Sequence, residues 1–496
     1  MKHRFVILLL IIISKDVMSQ GLYNHVWLLG SYNFIQNLKG RIYFDSTSYV
    51  DLVENRKMPF YGTEATICDK QGDFLMSTNG IWIANASNDT MLNGGGLNPN
   101  GVTSSWQFGL PFSSNAVFIP YPGDTNRYIL FHHTYTYDGF SYPPYELYSS
   151  EVDMNLDFNL GGVTLKNQII LQDTLNGGIG AVKHANGRDW WILMTKHGTN
   201  TIYKILVTPN GNTITSQTMN NAHYSWYNGS QFPFNNIGNR FAYSVYDSLT
   251  NDSYIVTANF DRCTGLISND TTIQLTYGNY LWGTAFSPSG KKLYACSSSR
   301  VFQIDTDSLT IDTVATYDGF ISPPGQTCCA TSFWNMYLAA NGKIYITSGS
   351  GVQHLHEMNY PDSAGVACDV QQHAISLGYA QLRAVPNHPN YNLGPVVGSV
   401  CDTLSVGLSE PAYDFRFSIS PNPVSDGVVK LTYLLPQNKA GLLEVYDLTG
   451  QRVYSQQLPP WSTLQFVQLP ELSSGLYTCV IRSGNEKTAK KLVVMR

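Results

Sequence analysis

The sequence predicts an all-β chain, a ring of repeated antiparallel units followed by a small sandwich. Three observations carry that expectation. Composition is β-like: aromatic and charged residues are each 13% of 496, with 32 Tyr and 42 Gly, unlike the Ala/Glu/Lys/Leu usage of helical proteins. Short runs of apolar alternation are separated by Ser, Pro, Asn and Gly, the pattern of strands and tight turns. One turn glycine also recurs, at Gly72, Gly123, Gly187, Gly238, Gly290 and Gly342, with separations of 51, 64, 51, 52 and 52 residues.

The chain opens with Lys2 and Arg4 and then an apolar run over residues 5–13. Nine residues are too few to cross a bilayer but suit the core of an export signal. Val17 and Ser19 fit the positions before a cleavage site, so residues 1–19 read as a signal peptide cut before Gln20. No cysteine follows the run to take a lipid, and no later segment is apolar enough for a membrane helix. The expected mature chain is exported, via the periplasm, without a membrane span. Net charge is −5 before the basic leader is removed, so the basic footprint of a nucleic-acid binder is missing.

Residues 283–303 show the repeating unit most clearly. Thr284–Phe286, Lys292–Ala295 and Val301–Ile304 alternate as strands around the turns at 287–290 and 297–300. A period near fifty in an all-β chain means sheets of about four strands packed radially. Six such units lie between Glu64 and Asp362, and strands at 27–30, 41–44 and 379–385 read as parts of a seventh shared by both ends. Sharing a unit closes the ring and removes its raw edges. The expectation is therefore a seven-bladed β-propeller over residues 20–400, with six blades as the alternative. Of eight cysteines, Cys328 and Cys329 are adjacent and none forms a CxxC pair. One or two long-range disulfides and free buried thiols are both open readings in an exported chain.

Two loops depart from the repeat and echo each other. One holds Tyr137, Phe140 and Tyr142; the other holds Tyr317 and Phe320. Such rim loops either offer aromatic faces to a ligand or pack their rings beneath the sheet. A linker over 401–413 then precedes a block of short strands with frequent turns, residues 414–496, which reads as a β-sandwich.

That last block resembles the type A C-terminal sorting domain of Bacteroidetes type IX secretion. The matching residues are Pro421, Asn422 and Pro423, then Asp447 and Gly450 in Asp-Leu-Thr-Gly, Gly475 and Tyr477 in Ser-Ser-Gly-Leu-Tyr, and Lys490 and Lys491 before Leu-Val-Val. The resemblance implies recognition by the secretion machinery, delivery to the outer surface or the medium, and removal of the domain. Residues 24–400 are similar to the WD40-like propellers found beside such domains, through Trp27-Leu-Leu-Gly, Phe260-Asp-Arg-Cys-Thr-Gly and Pro386-Asn-His-Pro-Asn-Tyr-Asn-Leu-Gly-Pro. That similarity implies a fold and no catalytic residue. Asp-Ser/Thr steps such as Asp173-Thr-Leu and Asp247-Ser-Leu resemble the O-glycosylation signal of such exported chains, and equally suit turns.

Chemistry is sparse. Nucleophile-elbow, zincin and phosphate-loop motifs are missing. His354 and His356 share one face of a strand but need a third metal ligand, and His132 and His133 face opposite ways. Asp305 and Asp307 suit a turn, without a full calcium loop. No catalytic, metal or cofactor residue is assigned. The expected function is a non-enzymatic propeller that binds a glycan or a protein. The alternative is a hydrolase of glycans or peptides, with carboxylates from different blades meeting in the channel.

Overall fold

The computed structural model describes residues 21–32, 38–45, 47–135, 144–224, 227–228, 231–277, 280–323, 325, 328–402, 417–433, 435, 440–460, 462–483 and 486–495. The chain is all-β and propeller-like. A three-stranded sheet over 26–55 is followed by an eight-stranded sheet over 65–172, then by four-stranded sheets over 180–218, 227–277, 283–316 and 333–381. The eight-stranded sheet is two antiparallel meanders, 65–95 and 116–172, joined by one parallel bridge between Leu92 and Gly162.

Each meander has the same logic. Four antiparallel strands return the chain to the face it started from. The segments joining one meander to the next therefore share one face, here the loop face. The turn between first and second strands lies on the opposite face, here the turn face. The six recurrent glycines all sit in that turn, with φ between +73° and +82°. This left-handed backbone is strained for residues carrying a Cβ. Gly72, Gly290 and Gly342 each donate N–H to the carbonyl three residues back, at 3.0, 2.9 and 3.0 Å.

The strands expected at 284–286, 292–295 and 301–304 are Gly283–Phe286, Lys292–Cys296 and Arg300–Asp305. The strand expected at 379–385 stops earlier. Val370–Gln381 ends the last meander, and Arg383 turns left-handed at φ +53°. The chain then runs along the inner strands as a clasp. Asn387 Nδ2 donates to the carbonyls of Ala116 and Ile179 at 3.2 and 3.0 Å, and His388 Nε2 meets Thr66 O at 2.6 Å. Tyr391 Oη donates to Phe118 O at 2.8 Å, and Arg262 donates to Gly394 O at 2.7 Å. A Cys263–Cys401 disulfide ends the clasp. Cys328–Cys329 is a second disulfide, and Cys68, Cys296, Cys368 and Cys479 are buried thiols.

Residues 417–495 form a three-stranded and a four-stranded antiparallel sheet around one core that includes Val429, Leu431, Val445, Val467, Ile481 and Leu492. This block rests on the turn face. Lys430 Nζ reaches Gly72 O at 2.8 Å and Asp73 at 2.5 Å, and the Phe466 ring lies 4.6 Å from Tyr43. Among the described residues no helix is long and apolar enough to cross a membrane.

Candidate ligand-binding face

Two places on the propeller-like body invite a ligand, and their chemistry differs. The first is a cavity of about 460 Å³ among the inner strands on the turn side, lined by Asn235, Pro288, Tyr337, Asn387, Asn390 and their neighbours. Its lining histidines are His25 and His388, and none of the described lining residues is Asp or Glu. His25 Nδ1 lies 2.6 Å from Phe44 O, and burial lowers its pKa to about 4. His388 is pushed to about 3 by the same cause. Both imidazoles are neutral at pH 7 and tied to carbonyls. Glycoside hydrolysis commonly uses paired carboxylates, and the described lining does not supply them.

Glu64 sits close by but has a different role. It is fully buried between the first two sheets, and burial lifts its carboxyl well above the usual range against the pull of Arg56. It faces the Leu28 amide on the strand that lacks an inner neighbour.

The second place is the loop face, where aromatic rings from six separate parts of the chain meet. Tyr246 stacks on Tyr280 at 3.9 Å, Tyr280 faces Trp282 at 5.3 Å, and Trp282 stacks on Trp334 at 3.8 Å. The Arg383 guanidinium lies 4.6 Å from the Trp334 ring and 5.8 Å from Tyr61, which meets Trp106 at 4.9 Å. Tyr32 stacks on Phe108 at 3.7 Å beside them.

Local structure fixes these rings. Gly349 leaves room for the Trp334 indole, since a Cβ there would stand 2.5 Å from it. Trp282 donates its amide to Cys296 O at 2.8 Å. Trp106 closes a one-turn helix, Gly101–Ser105, whose cap Asn100 accepts from Thr103 N at 3.0 Å. Trp106, Phe108 and Tyr280 remain 36, 40 and 42% exposed. Beneath them, side chains tie distant inner strands together: Asn335 Nδ2 to Ser113 Oγ at 2.5 Å, and Gln231 Nε2 to Met336 O at 2.8 Å.

The residues singled out by sequence lie outside this run of rings. Tyr137, Phe140 and Tyr142 lie outside the described residues. Tyr317 and Phe320 are half-buried; Phe320 stacks on His373 at 4.0 Å and edges His354 at 5.3 Å, while Tyr317 Oη donates to Phe320 O at 2.6 Å. His354 bonds to Ser322 Oγ at 2.7 Å, and buried His356 accepts from the His373 amide at 3.0 Å. Among the described residues no group of three donors suits a metal ion. Asp305 accepts from the amides of Asp307 and Ser308 and pairs with Lys292, a plain turn. His132 is held by Asn98 and Ser150, both at 2.9 Å.

In the C-terminal block the motif residues hold turns and the last strand. Asn422, in the Pro421-Asn422-Pro423 stretch, exchanges bonds of 2.8 Å with Lys491 O and Val493 N. Asp447 accepts from Thr449 and Gln451 amides at 2.9 Å, and Gly450 is left-handed at φ +82°. Tyr477 Oη donates to Ser473 O at 2.9 Å, Gly475 pairs with Val494, and Lys490 and Lys491 are exposed. The model of the secretion system C-terminal sorting domain matches residues 418–495. The chain carries a secretion-system sorting domain. This sorting domain indicates export through the type IX system to the cell surface or extracellular space.

No curated protein compared with the chain matches it. Similar solved structures include a periplasmic gluconolactonase of Pseudomonas aeruginosa (10% identity, 90% of this chain and 99% of that one, TM-score 0.37). A functionally unknown protein from Desulfotomaculum acetoxidans aligns at 14% identity over 73% of this chain and 99% of that one, TM-score 0.36. AofleA from Arthrobotrys oligospora aligns at 12% over 66 and 91%, TM-score 0.34. At these scores the likeness carries no argument, and the propeller-like reading rests on the sheet order.

The aromatic face was missed by sequence reading because its rings sit in the joins between units, not in an obvious motif. A usable signal was present: Tyr61, Trp106, Tyr280 and Trp282 all fall in segments that lead into a first strand.

Proposed function

We propose that this is an exported, non-enzymatic glycan-binding protein, with the ligand on the loop face of a seven-bladed propeller. The carrying observation is the run of rings from Tyr246 to Trp106. Flat apolar rings such as the exposed Trp106, Phe108 and Tyr280 suit the CH-rich faces of pyranose sugars, while bordering polar groups suit hydroxyls. The sorting domain sits on the turn side, which supports the loop face as the free one.

Seven blades follow from counting the eight-stranded sheet as two. The three-stranded sheet takes residues 384–388 as its inner member; they lie beside it without a regular ladder, with Ala384 in one core with Val26 and Leu28. The two C-terminal sheets are read as a β-sandwich, after a leader over 1–19, a body over 20–400 and a linker over 401–413. In this reading Lys490, Lys491 and the turn motifs are what the secretion machinery recognises.

A glycan array probed with the purified, leaderless chain tests the function. Retention of at least one glycan class is expected, with Trp106→Ala and Tyr280→Ala lowering affinity tenfold or more. An array on which nothing binds would sink the reading.

A further inference from the structure

Arg383 stands apart from the other well-packed arginines. Arg41 and Arg56 pair with Glu54, Arg127 with Glu151 and Arg188 with Asp189. Arg262 lacks a carboxylate but gives its guanidinium to three carbonyls. Arg383 is half-buried, and its guanidinium makes one bond, from Nε to Gly349 O at 3.2 Å. No described acceptor meets Nη1 or Nη2. In a chain of net charge −5, a cation held partly out of water without an anion costs stability.

Its backbone is also strained. Arg383 has φ +53°, where a non-glycine residue is disfavoured. The conformation is fastened by its own amide to Ser348 O at 3.1 Å, and by Asn335 Nδ2 and Thr347 Oγ1 donating to its carbonyl at 2.7 and 2.9 Å. The result is a guanidinium set between the Trp334 and Tyr61 rings whose Nη1–Nη2 edge meets no described acceptor. Such an edge has the fork geometry that grips a carboxylate with two parallel bonds.

We propose that Arg383 makes the aromatic face selective for acidic glycans, gripping the carboxylate of a uronic acid whose ring lies on the Tyr61 side of the guanidinium. This rests on the glycan-binding reading above. Arginine is suited to both tasks at once, because it stacks on rings and still presents its edge. The selectivity is partly electrostatic, so it weakens as salt rises.

The test is calorimetry on the purified chain with hexagalacturonate and with its fully methyl-esterified form. The acid is expected to bind at least tenfold more tightly than the ester. Arg383→Gln should bring that ratio to about one, and Arg383→Lys should recover only part of it, since an ammonium keeps the charge without the fork. Arg188→Gln, on the turn face, should leave the ratio unchanged. Thermal melts check that each variant is folded. Equal affinity for acid and ester in the native chain overturns the proposal while leaving the aromatic face as a neutral-sugar site. A ratio that survives in folded Arg383→Gln, or in Arg383→Lys if the Gln variant does not fold, overturns it too. Binding of neither probe removes acidic glycans as the ligand, and the glycan array then decides whether the wider reading stands.

Discussion

On the turn face, six first-to-second-strand turns carry a left-handed glycine, and the sorting domain covers the first two sheets. On the loop face, the joins vary in length and composition, and rings from distant segments stack with Trp106, Phe108 and Tyr280 more than a third exposed. The first face repeats because each unit meets the same mechanical demand. The second does not repeat, and its exposed rings gain little stability. Stability is therefore expected to respond to the turn side, and ligand binding to the loop side.

Acid has the largest expected effect, and it acts on the buried interior beneath both faces. Burial holds His25 and His356 near pKa 4, and His132, His133 and His388 near 3. Their folded values lie below the ordinary 6.5, so the unfolded chain binds more protons in between. The stability they confer is complete above pH 6.5 and is lost as pH falls from there toward each folded value. Each histidine costs about 2 kcal/mol by pH 5, and the five together about 10 kcal/mol as a ceiling. Melting temperature should drop steeply between pH 6.5 and 5. A flat profile over that range would mean these imidazoles are not buried and neutral.

Next in size is a single change in the clasp. Tyr391 is 2% exposed, packs against Tyr23 and Trp190 and bonds to Phe118 O. Tyr391→Ala leaves a cavity and an unpaired carbonyl, at a cost of about 3–5 kcal/mol. Urea unfolding measures it. A loss under about 1 kcal/mol, the size of an ordinary surface change, would show that the clasp does not hold the ring.

How far the sequence could be read follows the same division. Glycine at Gly72 through Gly342 announces itself because a left-handed turn is a local demand, so the repeat is legible residue by residue. The sorting block is legible for the same reason: Asp447 and Gly450 make their turn within five residues. The loop face is illegible because Tyr61, Trp334 and Arg383 meet only through the closed ring. Tyr317 and Phe320 stood out as a motif, yet they pack against His373 and a core that includes Ile346. The stretch at 386–395 drew notice as a family mark. Its work as a clasp depends on carbonyls contributed by residues hundreds of positions away, which no local pattern encodes.

The smallest expected effect is the most discriminating. Trp106 follows a one-turn helix and touches Tyr61 with over a third of its surface in water. Truncating it removes one tilted ring pair, worth about 1 kcal/mol or less. Trp106→Ala should therefore melt within a few degrees of the native chain, while its affinity for a captured glycan falls tenfold. The contrast with Tyr391→Ala is the point, because that change empties a sealed core and this one trims an open shelf. If Trp106→Ala destabilises as much as Tyr391→Ala, the loop-face rings belong to the core, and their stacking needs no ligand to account for it. If it alters neither melting nor binding, the aromatic run ends before Trp106, and the ligand rests on Arg383 and Tyr61 alone.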